Sequence, residues 1–223
     1  TDVHSHFIPG IDDGAPDLET SISLIKKMQE LGYKKVITSP HVMSDFYQNS
    51  SETILKGLAD VRTELKRQNI NMEIEAAAEY YIDFDFEQKI GKEKFLTFGD
   101  NYILVELSFM QAPNNLFDMI FKLQLEGYKV VLAHPERYEY YAKKDYEELV
   151  ARGVLLQINL LSLIGYYSPK IQQKTKGLIA ENQVSFVGTD CHNMNHAALY
   201  EKCQTQKDWH DLVNSGKLLN ATL

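Results

Sequence analysis

The chain has 223 residues, of which 44% are hydrophobic and 24% charged, and this balance is typical of a folded globular protein. Its formal net charge of -8 argues against a nucleic-acid partner, because proteins that bind nucleic acid present a basic face. No apolar run approaches the ~18 residues of a membrane span, no secretory signal precedes the first predicted strand, and 2 cysteines are too few for a disulfide framework. We therefore expect no membrane insertion and a cytoplasmic location.

The first predicted element contains two histidines, His4 and His6, that stand one residue apart. Side chains alternate between the two faces of a strand, so a strand here would direct both imidazoles to one side, where they could chelate a metal ion. The alternative is a chance His-x-His pair on a surface strand. The Pro-Gly and Asp-Asp-Gly turns that follow would bring a carboxylate back toward the same ion.

Beyond this stretch, short apolar runs alternate with segments of helical periodicity. Further strands are predicted at residues 35–41, 72–81, 102–107, 129–135, 154–159 and 184–190. Helices are predicted at residues 16–31, 51–68, 116–126, 146–151 and 170–181, with an irregular segment at 83–98 and a terminal helix and tail at 195–223. The alternation indicates an α/β protein with a parallel sheet, and seven strands fit a closed or distorted barrel better than a doubly wound sheet. We expect a single domain of residues 1–223.

Polar residues with metal-binding side chains fall at or near the ends of these predicted strands. They are His41, Glu79, Glu106, His134, Asp190 and His192, in addition to His4 and His6. In parallel barrels the carboxyl ends of the strands form one mouth, so these side chains would share one space. Each has an ordinary alternative, such as a helix N-cap for Asp190, but Glu106 lies in the apolar run Ile-Leu-Val-Glu-Leu, where an unpaired carboxylate would be costly to bury. Together they predict a site for several metal ions.

The same residues lie in motifs that resemble the polymerase-and-histidinol-phosphatase (PHP) superfamily. Within it, they are similar to the bacterial tyrosine-protein phosphatases of capsule and exopolysaccharide operons, from Asp2 to about Asn195. The motifs are His4-Ser5-His6, Ser39-Pro40-His41, Ala78-Glu79, Glu106, Ala133-His134-Pro135-Glu136-Arg137-Tyr138 and Gly188-Thr189-Asp190-Cys191-His192-Asn193.

The resemblance implies a distorted seven-stranded (β/α)7 barrel of the PHP type that holds three divalent metal ions, commonly manganese, with iron, zinc or magnesium as alternatives. The first ion would take His4, His6, Glu79 and Asp190. The second would share Glu79 and add Glu106 and His134. The third would take Asp13, His41 and His192, with Asp12 as an alternative to Asp13. The implied substrate is a phosphotyrosine protein, the tyrosine-rich tail of an autophosphorylating bacterial kinase.

Arg137 and Asp13 are the candidate catalytic residues. Arg137 follows His134 by three residues, and its guanidinium offers a two-pronged fork for a phosphate group. The alternative for Arg137 is a surface ion pair with Glu136 or Glu139. Aromatic residues near the predicted mouth could line a cleft for a phosphorylated ring, although helix and strand packing explains any one of them equally well. They are Phe46, Tyr47, Tyr80, Tyr81, Tyr138, Tyr140, Tyr141, Tyr166 and Tyr167.

Three other functions compete with this hypothesis. A cysteine-dependent phosphatase needs a Cys-x5-Arg loop, but Cys191 is followed at that spacing by Ala197 and Cys203 by Trp209, which excludes it. A small-molecule phosphatase of the same superfamily would act on histidinol phosphate or a nucleotide. A non-catalytic, metal-bound regulatory module is the third, and the complete ligand set disfavours it.

Overall fold

A computed structural model describes residues 1–223 and contains eight short strands, all paired in parallel. The strands are β1 (Lys35–Thr38), β2 (His41–Val42), β3 (Glu73–Ala76), β4 (Glu79–Tyr81), β5 (Tyr102–Glu106), β6 (Lys129–Ala133), β7 (Leu155–Asn159) and β8 (Val184–Gly188). One sheet pairs β1 with β3, and the other has the order β2-β4-β5-β6-β7-β8.

Two of the predicted strands are each broken into two segments. The second becomes β1 and β2, separated by Ser39 and by Pro40, which cannot donate a backbone hydrogen bond. The third becomes β3 and β4, separated by Ala77 and Ala78. The two segments of each broken strand occupy one strand position in the barrel. The breaks therefore distort the barrel but do not add a position to the seven that were predicted.

The opening segment closes the barrel, although it is extended chain rather than the regular strand predicted for it. Asp2 pairs with Val36 at one end of the segment, and Ser5 pairs with Cys191 at the other. Because the segment changes partner between its two ends, no continuous ladder forms. The backbone N–H of Asp190 donates to the carbonyl of His4 (2.8 Å), which joins the end of β8 to this segment. The predicted distorted barrel is confirmed.

Nine α-helices connect and cover the strands. They are α1 (Leu18–Glu30), α2 (Ser51–Arg67), α3 (Phe84–Lys89), α4 (Leu116–Leu125), α5 (Lys143–Ala151), α6 (Pro169–Ala180), α7 (Met194–Ala197), α8 (Tyr200–Gln204) and α9 (Lys207–Asn214). Three 3₁₀ turns lie at Pro135–Arg137, Leu160–Ile164 and Leu219–Thr222. All five predicted helices are present. Helix α5 begins three residues earlier than predicted, because the Asp145 carboxylate accepts a hydrogen bond from the backbone N–H of Ala142 and caps its first turn.

Two regions were described too coarsely by the sequence pattern. The segment predicted to be irregular contains α3, whose start is capped by Asp83. The predicted terminal helix and tail is three short helices followed by a 3₁₀ turn. None of the helices combines the length and apolar character that crossing a bilayer requires.

The barrel interior has an apolar half and a polar half. The apolar half packs side chains from most of the strands, including Ile37, Leu104, Val131 and Phe186. Residues two apart on a strand share a face, so Glu106 continues the inward face that Leu104 begins. The predicted metal-binding residues therefore lie above this apolar packing, at the carboxyl ends of the strands.

Candidate metal centre

The predicted ligand residues, scattered over nearly 190 positions of the chain, converge at this end of the barrel. Their ligand atoms form four overlapping groups in which all atoms lie within 4.8 Å of one another. The groups are His6, Asp13, His41 and His192; His4, His6 and Asp190; His4, Glu79 and His134; and His41, Glu79 and Glu106. Because His4, His6, His41 and Glu79 each belong to two groups, the four groups describe one continuous centre.

This grouping differs in part from the division that the family resemblance implies. His41 lies beside Glu79 and Glu106 as well as beside Asp13, and His6 joins the group expected to hold the third ion. Glu79 lies at the centre: His4, His41 and His134 each place a ring nitrogen 3.0–3.1 Å from one of its oxygens.

Gln157 determines which nitrogen of His4 is free. The Gln157 amide nitrogen donates to the carbonyl of Ile158 (2.8 Å) and to Asn159 Oδ1 (3.0 Å), so its oxygen is the atom that lies 2.7 Å from His4 Nδ1. In the neutral imidazole, which is the form that binds a metal, His4 Nδ1 then carries the proton and the lone pair of Nε2 is directed into the centre.

His6 and His192 are oriented in the same way by other acceptors. Asp12 Oδ2 lies 2.8 Å from His6 Nδ1, and the carbonyl of Asp190 lies 2.9 Å from His192 Nδ1. Asp12 also accepts backbone hydrogen bonds from Gly14 and His41, so it is fully engaged outside the centre. Asp13 instead places Oδ1 3.5 Å from His41 Nε2 and 3.4 Å from His192 Nε2. This geometry separates the two aspartates: Asp12 orients an imidazole, and Asp13 faces the centre.

The arrangement fits divalent cations, because imidazole nitrogens and carboxylate oxygens are buried against one another in one small space. Glu79 Oε2 lies 3.0 Å from His41 Nδ1 and 3.1 Å from His4 Nε2, yet neither Glu79 Oε2 nor His41 Nδ1 forms a hydrogen bond, and both are buried. His134 Nδ1 is likewise buried and unpartnered. Buried polar atoms are almost always satisfied, and a cation between such atoms would satisfy them. The mixed imidazole and carboxylate set suits manganese, iron or zinc.

The electrostatics of the centre show how strongly these groups interact. Burial alone would lower the pKa of His4, but Glu79 and Asp190 outweigh it and raise that pKa to about 9. Burial raises the pKa of Glu106 to about 8, and the neighbouring Glu79 adds to the rise. A hydrogen bond with His192 lowers the pKa of Asp13 to about 2. Burial lowers the pKa of His134 to about 4, so this imidazole is neutral at physiological pH and ready to bind a cation.

Two of the ligand residues hold their backbones in the left-handed region. His134 has φ 33° and Asp190 has φ 51°; the other non-glycine residues with positive φ are all asparagines, which tolerate this region. His134 is therefore the unusual case. His134 directly follows β6, and Asp190 lies two positions beyond the end of β8. Such strain is typical of functional sites.

Arg137 lies in the cavity above the centre rather than on the protein surface. Its Nη1 donates to Asp190 Oδ2 (3.1 Å), and its guanidinium carbon lies 4.8 Å from the Phe109 ring centroid and 4.5 Å from that of Tyr167. The alternative of a surface ion pair with Glu136 or Glu139 is wrong: Glu136 is buried and accepts from Asn159 and Ser162, and Glu139 pairs with Lys170. The cavity has a volume of about 380 Å³.

A second cavity of similar size, about 370 Å³, opens beside the barrel wall between the start of α2 and α3. It contains no group of potential metal ligands.

The two cysteines are buried, and burial raises the pKa of each to about 12, so neither supplies a thiolate nucleophile.

Sequence reasoning missed three residues that shape the site. Asn159 donates to Asp190 Oδ2 (2.6 Å), Gln157 orients His4, and Phe109 stacks on the His134 ring. A signal for the first two was present in the sequence: both are polar residues in the apolar strand Leu-Leu-Gln-Ile-Asn, the feature that drew attention to Glu106. Of the aromatic residues expected at the mouth, Tyr167 lines the cavity, whereas Tyr80, Tyr138 and Tyr141 are buried in the core.

Comparison with known proteins gives a consistent result. Residues 1–207 match the family model described as capsular polysaccharide synthesis, CpsB/CapC. The chain is 30% identical over 196 residues to the tyrosine-protein phosphatase YwqE of Bacillus subtilis, covering 86% of this chain and 77% of that protein. It is 25% identical over 202 residues to the tyrosine-protein phosphatase CpsB of Streptococcus agalactiae, covering 87% of this chain and 83% of that protein.

A solved structure shows the same fold over nearly the whole chain. It comes from a crystallographic study of YwqE from Bacillus subtilis and CpsB from Streptococcus pneumoniae, described as unique metal-dependent tyrosine phosphatases. The TM-score is 0.84 at 27% sequence identity, and the match covers 98% of this chain and 93% of the solved one.

Proposed function

This chain belongs to the CpsB/CapC family of capsular polysaccharide synthesis, and we infer that it is itself a metal-dependent tyrosine-protein phosphatase of such a system. The observation that carries this inference is the convergence of five imidazoles and four carboxylates into one continuous centre beneath a cavity that contains an arginine. A phosphate monoester is an anion, and this acidic protein would bind it where cations outweigh the ligand carboxylates.

The proposed cofactor is three divalent cations, with manganese as the favoured metal and iron, zinc or magnesium as alternatives. The nine predicted ligands, His4, His6, Asp13, His41, Glu79, Glu106, His134, Asp190 and His192, would hold them in the groups described above. When bound, such cations lower the pKa of water toward ~7 and stabilise the charge on a phosphoryl oxygen. The absence of thiolate ligands and the sharing of Glu79 support this assignment.

Asp13 has the outermost position in this proposal. Its side chain is half exposed at the mouth, and its pKa of about 2 keeps it ionised at physiological pH. It therefore acts as a carboxylate that helps hold a cation between His41 and His192, and it does not act as a proton donor.

Arg137 is the proposed phosphate clamp. One nitrogen of its fork donates to Asp190, and no protein acceptor bonds to the others. The guanidinium plane is held between two aromatic rings, which pre-organises the remaining N–H groups for a phosphate oxygen. Asn159 shares Asp190 Oδ2 with Arg137, so the clamp and one metal ligand are held by the same carboxylate.

The proposed substrate is a phosphotyrosine protein, the tyrosine-rich tail of an autophosphorylated bacterial kinase. The names of the relatives support a tyrosine-protein substrate, and the sequence resemblance supports the kinase. Because a protein kinase draws on cytoplasmic ATP, the proposal also places this enzyme in the cytoplasm.

One experiment tests the proposal directly. The purified protein is analysed for its metal content, and its hydrolysis of a phosphotyrosine peptide is measured before and after EDTA treatment and after Mn²⁺ is restored. We expect loss of activity with EDTA and recovery with Mn²⁺. Undiminished activity after the metal is removed would contradict the proposal. A panel that includes histidinol phosphate and nucleotide esters shows whether a small molecule is the better substrate.

A further inference from the structure

The exposed apolar side chains of this protein are concentrated around the mouth of the barrel. Six of the 11 exposed large hydrophobic residues lie in the loops, or at the first helical residue, that follow the carboxyl end of a strand. Phe46, Phe84 and Met110 are 76%, 74% and 86% exposed. We call the six residues the collar: Phe46, Phe84, Phe109, Met110, Tyr166 and Met194. The other five lie on helices α2, α4, α5 and α9, and Phe121 is the one aromatic residue among them.

One side of the collar is joined to the centre through the segment that follows β2. Met43 and Tyr47 pair as a short hairpin with Phe46 near its tip, and the Tyr47 ring stacks on His41 at 5.5 Å. Asp83 accepts hydrogen bonds from the backbone and the hydroxyl of Ser44, and this contact ties the hairpin to the segment that carries Phe84.

The other side of the collar contacts the centre through Phe109 and Tyr166. The Phe109 ring stacks on His134 (5.8 Å between centroids) and lines the cavity. Tyr166 packs edge-on against His196 at 5.3 Å, and His196 lines the same cavity. Met194 follows the ligand residue His192 by two positions. The collar is therefore continuous with the cavity on both sides.

We propose that the collar is the surface that binds the polypeptide on either side of the phosphorylated tyrosine, and that it prefers apolar and aromatic side chains at those positions. This proposal rests on the proposed function. The cavity, with its largely polar lining, accommodates a phosphorylated side chain, so the flanking chain of a protein substrate has to cross the rim. Exposed Phe and Met side chains are the types enriched at protein interfaces, and an apolar patch beside a site marks a binding surface.

A second copy of this chain is a poorer occupant. Phe109 belongs to both the collar and the cavity, so a copy bound to the collar would close the entrance to the catalytic centre. A peptide that continues out of the cavity occupies both surfaces at once.

The test compares two substrates of one enzyme: free phosphotyrosine and a phosphotyrosine peptide with aromatic and aliphatic flanks. The variants are Phe46→Ser, Met110→Ser and their combination, with Phe121→Ser on α4 as the matched control, since it removes an apolar side chain that is also largely exposed (60%) but lies away from the mouth. We expect kcat/KM for the peptide to fall roughly 10-fold in the double variant, mainly through KM. We expect less than about 2-fold change with free phosphotyrosine, and no change with either substrate in Phe121→Ser.

Several results would overturn the proposal. They are an equal loss with both substrates, no loss with the peptide, a wild-type enzyme that uses the peptide no better than free phosphotyrosine, or a change from dimer to monomer in the variants by light scattering. If the wild-type enzyme loaded with Mn²⁺ hydrolyses neither substrate, the proposed function itself has failed. Thermal unfolding of each variant establishes that these exposed substitutions leave the fold intact.

Discussion

At the scale of single residues, the centre depends on side chains outside the predicted ligand set. Gln157 sets the tautomer of His4, Asp12 that of His6, and Asn159 and Arg137 together occupy Asp190 Oδ2. With Oδ2 engaged, Asp190 presents Oδ1, which lies 3.4 Å from His6 Nε2 and 3.5 Å from His4 Nε2. Partners of this kind orient metal ligands in many proteins.

The first prediction concerns Gln157. Gln157→Met keeps the size of the side chain but removes the acceptor that holds the Nδ1 proton of His4. We expect Mn²⁺ affinity, measured by competition with a chelator, to fall roughly 10- to 100-fold. Ser162→Ala is the control, because Ser162 donates to Glu136 in the same buried network but contacts no ligand residue. It is expected to lower the melting temperature and leave Mn²⁺ affinity unchanged. Equal effects of the two substitutions on affinity would show that Gln157 is merely structural.

The second prediction concerns Arg137. In Arg137→Ala, kcat/KM for a phosphotyrosine peptide is expected to fall about 100-fold, because a pre-organised donor to the phosphate is lost. Metal content should not change, since Asn159 still holds Asp190 Oδ2. Arg152→Ala is the control, because that guanidinium also stacks on an aromatic ring, 4.1 Å from Phe117, but lies on the outer surface. Unchanged turnover in Arg137→Ala would remove this residue from the proposed mechanism.

At the scale of secondary-structure elements, close packing of the helices on the barrel wall determines where the ligand segments lie. Gly57 in α2 shows this: a Cβ added there would lie 2.3 Å from Cγ2 of Ile8, a fully buried residue two positions after His6. Gly188 at the end of β8 is packed equally closely, because a Cβ added there would lie 2.5 Å from the Cβ of His4. These glycines allow the ligand segments to approach the neighbouring elements.

The third prediction tests this packing. Helix propensity alone would make Gly57→Ala stabilising by about 1 kcal/mol. We expect the free energy of unfolding to fall instead, by roughly 1–3 kcal/mol, because the added methyl group collides with Ile8. Gly177→Ala in α6 is the matched control, since nothing lies within 4 Å of its added Cβ, and it should stabilise the protein. Denaturant unfolding of both variants decides the matter, and stabilisation by both would contradict the packing argument.

At the scale of the whole molecule, the barrel holds a dense set of opposite charges in its interior when no cation is bound. The pKa values of His4 and His192 are raised to about 9 and that of His41 to about 10, in each case because nearby carboxylates outweigh the effect of burial. In the unfolded chain these histidines titrate near ~6.5. Protonated imidazoles therefore stabilise the metal-free fold fully below about pH 6.5, and this stabilisation is lost as the pH rises through 9 to 10.

The fourth prediction follows from the direction of this pH dependence of stability. The melting temperature of the EDTA-treated protein should fall between pH 6.5 and 9.5, and Glu106, whose pKa is raised to about 8, contributes in the same direction. The gain in melting temperature on adding Mn²⁺ should increase with pH over the same range, because metal binding displaces these protons. His41→Gln should flatten the slope in EDTA, whereas His210→Gln, a substitution at an exposed position, should not. A melting temperature in EDTA that rises with pH would contradict the prediction.

The sequence by itself determined the alternation of the barrel strands with the five longer helices and which residues are candidates for metal binding. Local pattern suffices for these, because the face of a strand follows from a period of two and a buried carboxylate such as Glu106 is conspicuous in an apolar run. The parallel barrel then brings distant strand ends together by topology, so His4 and Asp190 could be placed in one space from the chain order alone.

Only the tertiary structure decided which role each of those residues has in the centre. Distances of a few ångströms between residues far apart in the chain decide these roles. They place Asp13 rather than Asp12 at the centre, and they put His6 and His41 in two groups each. They also define the role of Gln157 and the position of Arg137 beside Phe109 and Tyr167. Sequence spacing carries no information at that precision, because hydrogen-bond orientation is set by packing in three dimensions. The collar belongs to the same class, since exposure is a property of the folded surface and not of residue type.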